Sequence, residues 1–321
     1  MKLMKVLCIA ILGFSAAASA QDWPKKPIRL IVPYGAGSGP DAAMRPVAER
    51  LSKILGQAVV VENYASAGGI VGTEKLARAE PDGYTIGFGN NITLAVNKSF
   101  FDKLPYDPIK DFAPVSLLFE NPYILVASPS FKPNSVQELI AYARANPGKV
   151  TFASGTGIGS GSHLTGEMLK SSAKVDMVHV PYKTGTQAMT DLASDRVDIL
   201  FDNVNGVQNF IASGTAKPLA VTSPKRLAQY PNVPTMAESG FPGFEAVAWG
   251  GIIAPAGTAK PVIQRLNAAI AESLKSPEVV RINATMSLNP IPSTPEYFAD
   301  YITKETSKWA EMVRLSGAKG K

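Results

Sequence analysis

Ile28-Arg29-Leu30-Ile31-Val32 is a short apolar run stopped by Pro33 and a glycine-rich loop, and Ala42, Val47, Leu51 and Leu55 follow at helical spacing. This order of buried strand, glycine loop and amphipathic helix recurs along the chain and most narrows what it can fold into. Val59-Val60-Val61 reads as a second strand, 70–79 as a second helix ended by Pro81-Asp82-Gly83, and 84–89 as a third strand. Strand, helix, strand, helix, strand implies a parallel sheet with right-handed crossovers, because parallel neighbours cannot be joined by a tight turn.

A longer β-like stretch, 115–126, is expected to break at Asn121-Pro122. A second series follows: helix 135–146, strand 150–153, helix 162–171, strand 177–180, helix 186–194, strand 198–201, helix 204–212 and strand 218–222. Beyond it come a strand-like run, 246–254, and an amphipathic helix, 261–274. A last helix is capped at Thr294, carries Pro295 in its first turn and extends to about Leu315. One face of that helix carries Phe298, Tyr301, Ile302, Trp309 and Val313, and it is expected to return to the first series. The chain of 321 residues suits two domains, and 45% apolar residues supply their cores and exclude a disordered main state. Residues 21–122 plus 224–321 are assigned to a discontinuous lobe 1 and 123–223 to lobe 2.

The first twenty residues stand apart. Lys2 and Lys5 precede an apolar body, Val6 to Ala18, and Ala18-Ser19-Ala20 supplies a small-x-small cleavage site before Gln21. That is the pattern of a secretory signal peptide at 1–20. A membrane anchor is the alternative, but the apolar body is well short of the roughly 20 residues that span a bilayer. Cleavage removes two lysines from the formal charge of +6 and also the single cysteine, Cys8. The mature protein then has no disulfide and no thiol chemistry, and a soluble periplasmic location is expected. The remaining lysines are scattered without interleaved aromatics, which does not make a nucleic-acid surface.

Chemistry concentrates in the loops. Tyr34-Gly35-Ala36-Gly37-Ser38-Gly39-Pro40-Asp41 follows the first strand, Ala65-Ser66-Ala67-Gly68-Gly69 the second, and Gly87-Phe88-Gly89-Asn90-Asn91 ends the third. Ser154 to Ser162 and Tyr182-Lys183-Thr184-Gly185 do the same in the second series. Ligands of open α/β sheets bind beyond the carboxyl ends of the strands. Glycine admits close backbone approach, and helix N-termini offer free N–H groups with partial positive charge. Five such loops predict a cleft for an anion, although one alone would be an ordinary turn. Gly35-x-Gly37-x-Gly39 lacks the dinucleotide spacing, and no phosphate-binding lysine loop occurs. Ser38, Ser160 and Ser162 lie outside the nucleophile-elbow pattern. Two histidines, His163 and His179, with no cysteine in the mature chain, leave no dedicated metal site and no cofactor. His179 reads as a satisfied strand residue, whereas His163 begins a helix beside the long glycine loop.

The motifs in order resemble one family. Pro33 to Asp41 with Arg45 resembles the P-[FY]-x-x-G-G-x-x-D-x-x-x-R opening of the substrate-binding proteins of tripartite tricarboxylate transporters, the Bug family. Glu62-Asn63 with Ala67-Gly68-Gly69, Pro81-Asp82-Gly83-Tyr84-Thr85, Gly157 to Leu164, Val180-Pro181-Tyr182-Lys183, Asp198 to Asn203 and Ile253 to Thr258 resemble its later motifs, nearly end to end. Ser38 departs from it by replacing the second glycine of the opening pair, and Thr184 by standing where a glycine is usual.

The resemblance implies an α/β, two-lobed periplasmic binding protein of the type II, Venus-flytrap kind, each lobe a mostly parallel sheet flanked by helices. It implies that a small carboxylated solute is held in the cleft, in part by backbone groups of Tyr34, Gly35, Ala36, Gly37 and Ser38 and of Ala67, Gly68 and Gly69. Ser154, Thr156, Gly157, Ser160, Ser162, His163, Tyr182, Lys183, Thr184 and Asp202 are the second-lobe candidates, with Phe88 and Asn90 reading the rest of the ligand. Asp41 and Arg45 are either a structural ion pair or ligand contacts. Asp202 either meets a ligand amine or holds a neighbouring loop. Hinges are expected near 121–127 and 218–224, and a monomer is expected to hand its solute to an integral-membrane permease. The competing readings are a secreted serine hydrolase using a cleft serine with His163, and a binder that feeds a sensor.

Overall fold

A computed structural model describes residues 23–155 and 157–320. The expected signal segment, 1–20, and Thr156 lie outside the described residues. The first series forms β1 (Ile28–Val32), α1 (Gly39–Leu55), β2 (Val59–Asn63), α2 (Ile70–Ala77) and β3 (Thr85–Asn90). β1 pairs in parallel with both β2 and β3. Ser38 caps α1 by accepting the Asp41 N–H, Pro40 sits in its first turn, and Gly56 closes it in the left-handed conformation. A π-helical turn, Ile92–Val96, then leads into the short α3 (Asn97–Phe100).

β4 (Phe112–Ala127) is one strand of 16 residues, so the expected break at Asn121-Pro122 does not occur. The second series is α4 (Val136–Ala145), β5 (Val150–Ser154), α5 (Gly161–Ala173), β6 (Met177–Pro181), α6 (Gly185–Ala193), β7 (Ile199–Asn203), α7 (Val204–Ala212) and β8 (Lys217–Val221). The chain returns through β9 (Val247–Pro255), α8 (Lys260–Ser273), α9 (Pro277–Thr285), the two-residue β10 (Asn289–Pro290) and α10 (Pro295–Ser316). The sheet order is β2-β1-β3-β9-β4-β7-β5-β6, with β8 and β10 also on β4.

Asn121-Pro122 marks a change of partner instead of a break. Residues 112–122 of β4 pair antiparallel with β9, and 123–127 pair with β7 and β8. Each lobe thus has a parallel set, β2-β1-β3 or β7-β5-β6, flanked by one antiparallel strand, β9 or β4. At the crossing, Thr222 Oγ1 accepts from Tyr123 N (2.9 Å) and donates to the Ala246 carbonyl, tying three passages of chain together. Residues 224–246, assigned from sequence to the first lobe, pack on the second. Met236 N donates to Val221 O (2.9 Å), and Leu227, Tyr230 and Val233 join the cluster around Leu200 and Val207.

α10 buries Phe298, Ile302, Trp309 and Val313, as its spacing predicts. It covers β4 and the 92–96 turn but also touches α5, so it backs both lobes and not the first alone. The buried Glu305 accepts from both indoles, Trp249 Nε1 (3.0 Å) and Trp309 Nε1 (2.9 Å). Those contacts satisfy two donors that would otherwise be costly inside the core.

Candidate functional site: a cavity between the lobes

A cavity of about 600 Å³ opens where the strand ends of both lobes meet. Its first-lobe wall comprises Tyr34 after β1, Pro40 at the start of α1, Ala67 and Gly68, the segment Asn90 to Ile92, and Asn97, Phe100 and Phe101. The second lobe contributes Gly155, Ile158 to Ser162, Gly185, Asp202 and Asn203, while Tyr123 comes from β4 where it changes partner and Ala248 from the start of β9. The first turns of α1, α5 and α6 and the N-cap of α7 all reach this wall. The first N–H groups of a helix have no intrahelical acceptor, so Gly161, Ser162 and Gly185 present donors and partial positive charge. No lysine, arginine or histidine lines the cavity among the described residues, and Asp202 is its one carboxylate.

Of the residues singled out from sequence, Tyr34, Ala67, Gly68, Asn90, Ser160, Ser162 and Asp202 line the cavity. The Tyr34 hydroxyl bonds the Asn90 amide (2.9 Å from Nδ2), and burial pushes its phenol above the ordinary value. Asn90 Oδ1 also accepts from the N–H groups of Ile92 and Thr93, both at 3.1 Å, which fixes the turn that carries the wall.

Gly35, Ala36, Gly37 and Ser38 do not line the cavity; the loop they form is anchored from behind. Gly37 N donates to Asp41 Oδ2 (2.8 Å), and Ser38 N donates to Gly35 O. Asp41, 2% exposed, also accepts from Arg45 Nε (2.9 Å) and Asn63 Nδ2 (2.9 Å), and Asn63 reaches Tyr34 O as well. Burial alone would raise the Asp41 carboxyl, but hydrogen bonds from Arg45, Gly37 N and Asn63 bring it below its ordinary value. The Asp41–Arg45 pair is therefore structural: it fastens the loop after β1 to the end of β2.

Other candidates have different duties. Phe88 is a core residue, 3% exposed and stacked on Phe119, and does not line the cavity. Gly69 is buried, in the left-handed conformation at the N-cap of α2. Thr184 caps α6 through Gln187 N, Lys183 is exposed, and the Tyr182 hydroxyl donates to Asp191 (2.9 Å) in a separate surface groove. The Gly157 carbonyl accepts from Ser160 Oγ (2.7 Å) inside its own loop. Ser154 is fully buried, and its hydroxyl lies 2.7 Å from His179 Nε2. His163 is buried with its ring 4.1 Å from that of His179, and both rings stack on Phe152. Burial, reinforced for His163 by His179, pushes both imidazoles down to about 4, so both are neutral near pH 7.

The geometry offers little to a hydrolase. Ser160 Oγ donates to Gly157 O and accepts the His163 N–H, while His163 Nδ1 accepts from Gly159 N (3.2 Å). Ser160 is a helix cap and not a partner of that imidazole. Ser154 and His179 do touch, but neither lines the cavity.

Sequence reasoning missed the apolar wall. Phe100 and Phe101 pack edge to face (5.1 Å), and Tyr123 closes the base. Aromatic residues next to β-like or helical runs read as core. The signal lay in the opposing glycines. A Cβ at Gly159, whose φ is +82°, would overlap the Phe100 ring across the cleft, and one at Gly161 would overlap the Tyr123 hydroxyl.

Two α/β lobes that share the long strand β4, with a ligand-sized cavity between their strand ends, define a two-lobed solute-binding protein of the periplasmic type. The model of the tripartite tricarboxylate transporter family receptor matches residues 43–317, and the chain belongs to that family. It is 39% identical to protein BugT of Bordetella pertussis over 314 residues, covering 97% of this chain and 95% of BugT. The periplasmic binding protein BugD superposes with a TM-score of 0.76 at 35% identity, covering 93% of this chain and all of BugD. An R. palustris protein solved with adipate superposes with a TM-score of 0.79 at 32% identity, covering 92% of this chain and 99% of that one. Among the described residues, no helix is long and apolar enough to cross a membrane.

Proposed function

We propose that the protein is exported to the periplasm, captures a small carboxylate between its lobes and presents it to a tripartite tricarboxylate-type membrane permease. The observation that carries this reading is a ligand-sized cavity ringed by helix N-termini and glycine backbone and free of cationic side chains among the described residues. Such a wall holds an anion by dipoles and N–H groups. The adipate in the R. palustris relative and the family itself support the same reading.

Capture needs two states that the ligand distinguishes. β4 and the chain that enters β9 at residues 246–247 are the links between the lobes, and the meeting of Gly159 with Phe100 is a contact that opening would break. A ligand touching both walls favours the closed state.

The test is a thermal-shift screen of mono- and dicarboxylic acids on the mature chain, with calorimetry on every hit. A true ligand at 100 times its Kd adds about 2.7 kcal/mol to stability. Stabilisation by acids and not by their amides or alcohols is expected. A screen in which only neutral sugars stabilised the protein would overturn the reading.

A further inference from the structure

His163 and His179 are the only histidines of the chain, and neither lines the cavity. They lie directly behind the loop that does. His163, 4% exposed, accepts the Gly159 N–H at Nδ1 (3.2 Å). Ser154 Oγ lies 2.7 Å from His179 Nε2 and 3.3 Å from Gly157 O. On its outer side the same loop meets the first lobe, where Gly159 seats the Phe100 ring. One imidazole therefore holds, from behind, the residue that makes the contact between the lobes.

The tautomer of that imidazole is fixed by its partner. A neutral ring has one N–H and one acceptor, so with Nδ1 accepting, the hydrogen sits on Nε2, 4.0 Å from Glu167 Oε1. A second proton, at Nδ1, would face the Gly159 N–H donor against donor, and the loop would lose its anchor. The surroundings oppose that charge. β6 brings the His179 ring to 4.1 Å, and β5 brings only Phe152 and Ser154. α5 brings Glu167, whose other oxygen Lys170 already holds at 3.3 Å. Asp202 stands beyond Gly155 on the cavity side. α10 also packs on α5, but among the described residues His179 and Lys170 are the charges that act on the His163 ring.

We propose that His163 is an acid-sensitive latch of the cleft: a proton on its Nδ1 frees Gly159 from its anchor, unseats Phe100 and shifts the protein to the open, releasing form. The latch rests on the two-state capture described above and holds whatever the solute. Its sign follows from linkage. Burial, then His179 and Lys170, lowers this imidazole from 6.5 to about 4, and a ring that water reaches on opening returns toward the ordinary value. The closed form thus has its full advantage above pH 6.5 and loses it as pH falls toward 4. At pH 5 the ratio of closed to open protein drops by up to roughly thirtyfold.

The mature chain has no cysteine, so dyes at Lys110→Cys on the first lobe and Lys149→Cys on the second report the distance between the lobes by single-molecule FRET. Without ligand, the ratio of open to closed molecules should rise at least about tenfold from pH 7.5 to 5. His163→Asn keeps an acceptor for Gly159 N but does not titrate in this range, and should shrink the rise to about threefold or less. Asp202 titrates in both proteins, so the difference between them isolates the imidazole. The two histidine Cε1–H resonances give a second measure, and both should titrate with midpoints below pH 6. A wild-type rise short of tenfold, a larger than threefold rise in the variant, or a resonance with its midpoint at 6 or above overturns the latch. Should His163→Asn not fold, the wild-type rise and the two midpoints decide alone. Each failure leaves solute capture standing, since the screen of acids decides that by itself.

Discussion

Removing the charge of Asp202 should stabilise the empty protein at neutral pH. Burial raises its carboxyl from 3.8 to about 6, against the opposing hydrogen bond from Asn203 N. A group whose pKa is higher folded than unfolded favours the fold below the unfolded value and loses that contribution as pH rises through the folded one. At about 1.4 kcal/mol per tenfold, ionised Asp202 costs the fold roughly 3 kcal/mol at pH 7.5. The N-terminal ends of α6 and α7 nearby return part of this, so the figure is a ceiling and ~1–3 kcal/mol is expected. Asn at this position keeps the acceptor for Asn203 N and the shape of the side chain. In a chain of this size ~2 °C per kcal/mol puts the gain in Tm near 2–6 °C. The assay is differential scanning fluorimetry of wild type and Asp202→Asn, both ligand-free, from pH 4 to 8. The gap should open between pH 4 and 6.5 and shrink to about half a kcal/mol or less at pH 4. A variant no more stable than wild type at pH 7.5, or a gap indifferent to pH, would refute the reasoning.

Four further outcomes can be checked. Gly161→Ala places a Cβ on the Tyr123 hydroxyl and should weaken ligand binding at least tenfold by calorimetry, as the tyrosine is driven into the cavity. Asp41→Ala removes the acceptor of Gly37 N, Arg45 and Asn63 and should cost about 2–4 kcal/mol in urea unfolding at pH 7. Because the Asp41 carboxyl is lowered in the fold, wild type should hold this advantage above pH 3.8 and lose it as pH falls further. Glu305→Ala strands two buried indole N–H groups, with an expected loss of about 2–5 kcal/mol and a shift in tryptophan emission of the native state. Gly320→Val collides with Phe101 at the point where Gly320 N bonds Phe100 O (2.8 Å), so it should weaken ligand affinity more than it lowers Tm.

The alternation of elements was legible in the residues themselves, because it rests on local chemistry. Ile28–Val32 is a strand between two polar loops, Ser38 and Thr294 cap their helices, and the stripe from Phe298 to Val313 is buried as its spacing requires. The glycine loops identified which end of each sheet would border the cavity, since only glycine admits the approach seen at Gly159 and Gly161. Other features needed the assembled fold. Pro122 looked like a break, yet it continues β4 opposite Val247, because pairing with a strand more than a hundred residues away outweighs a local signal. The helix α9 and the turn 92–96 escaped notice for want of a clear stripe. Within the loops, partners from other elements set the facing of particular groups: Asn63 holds the Asp41 carboxylate that takes Gly37 N, and Phe88 turns inward to Phe119. Sequence order therefore decided that two α/β lobes would form and where their open ends would lie. Which side chains face across the gap, Phe100 over Gly159, Tyr123 over Gly161 and Asp202 without a counter-charge, was decided only when the lobes met, since those contacts join residues with no relation along the chain.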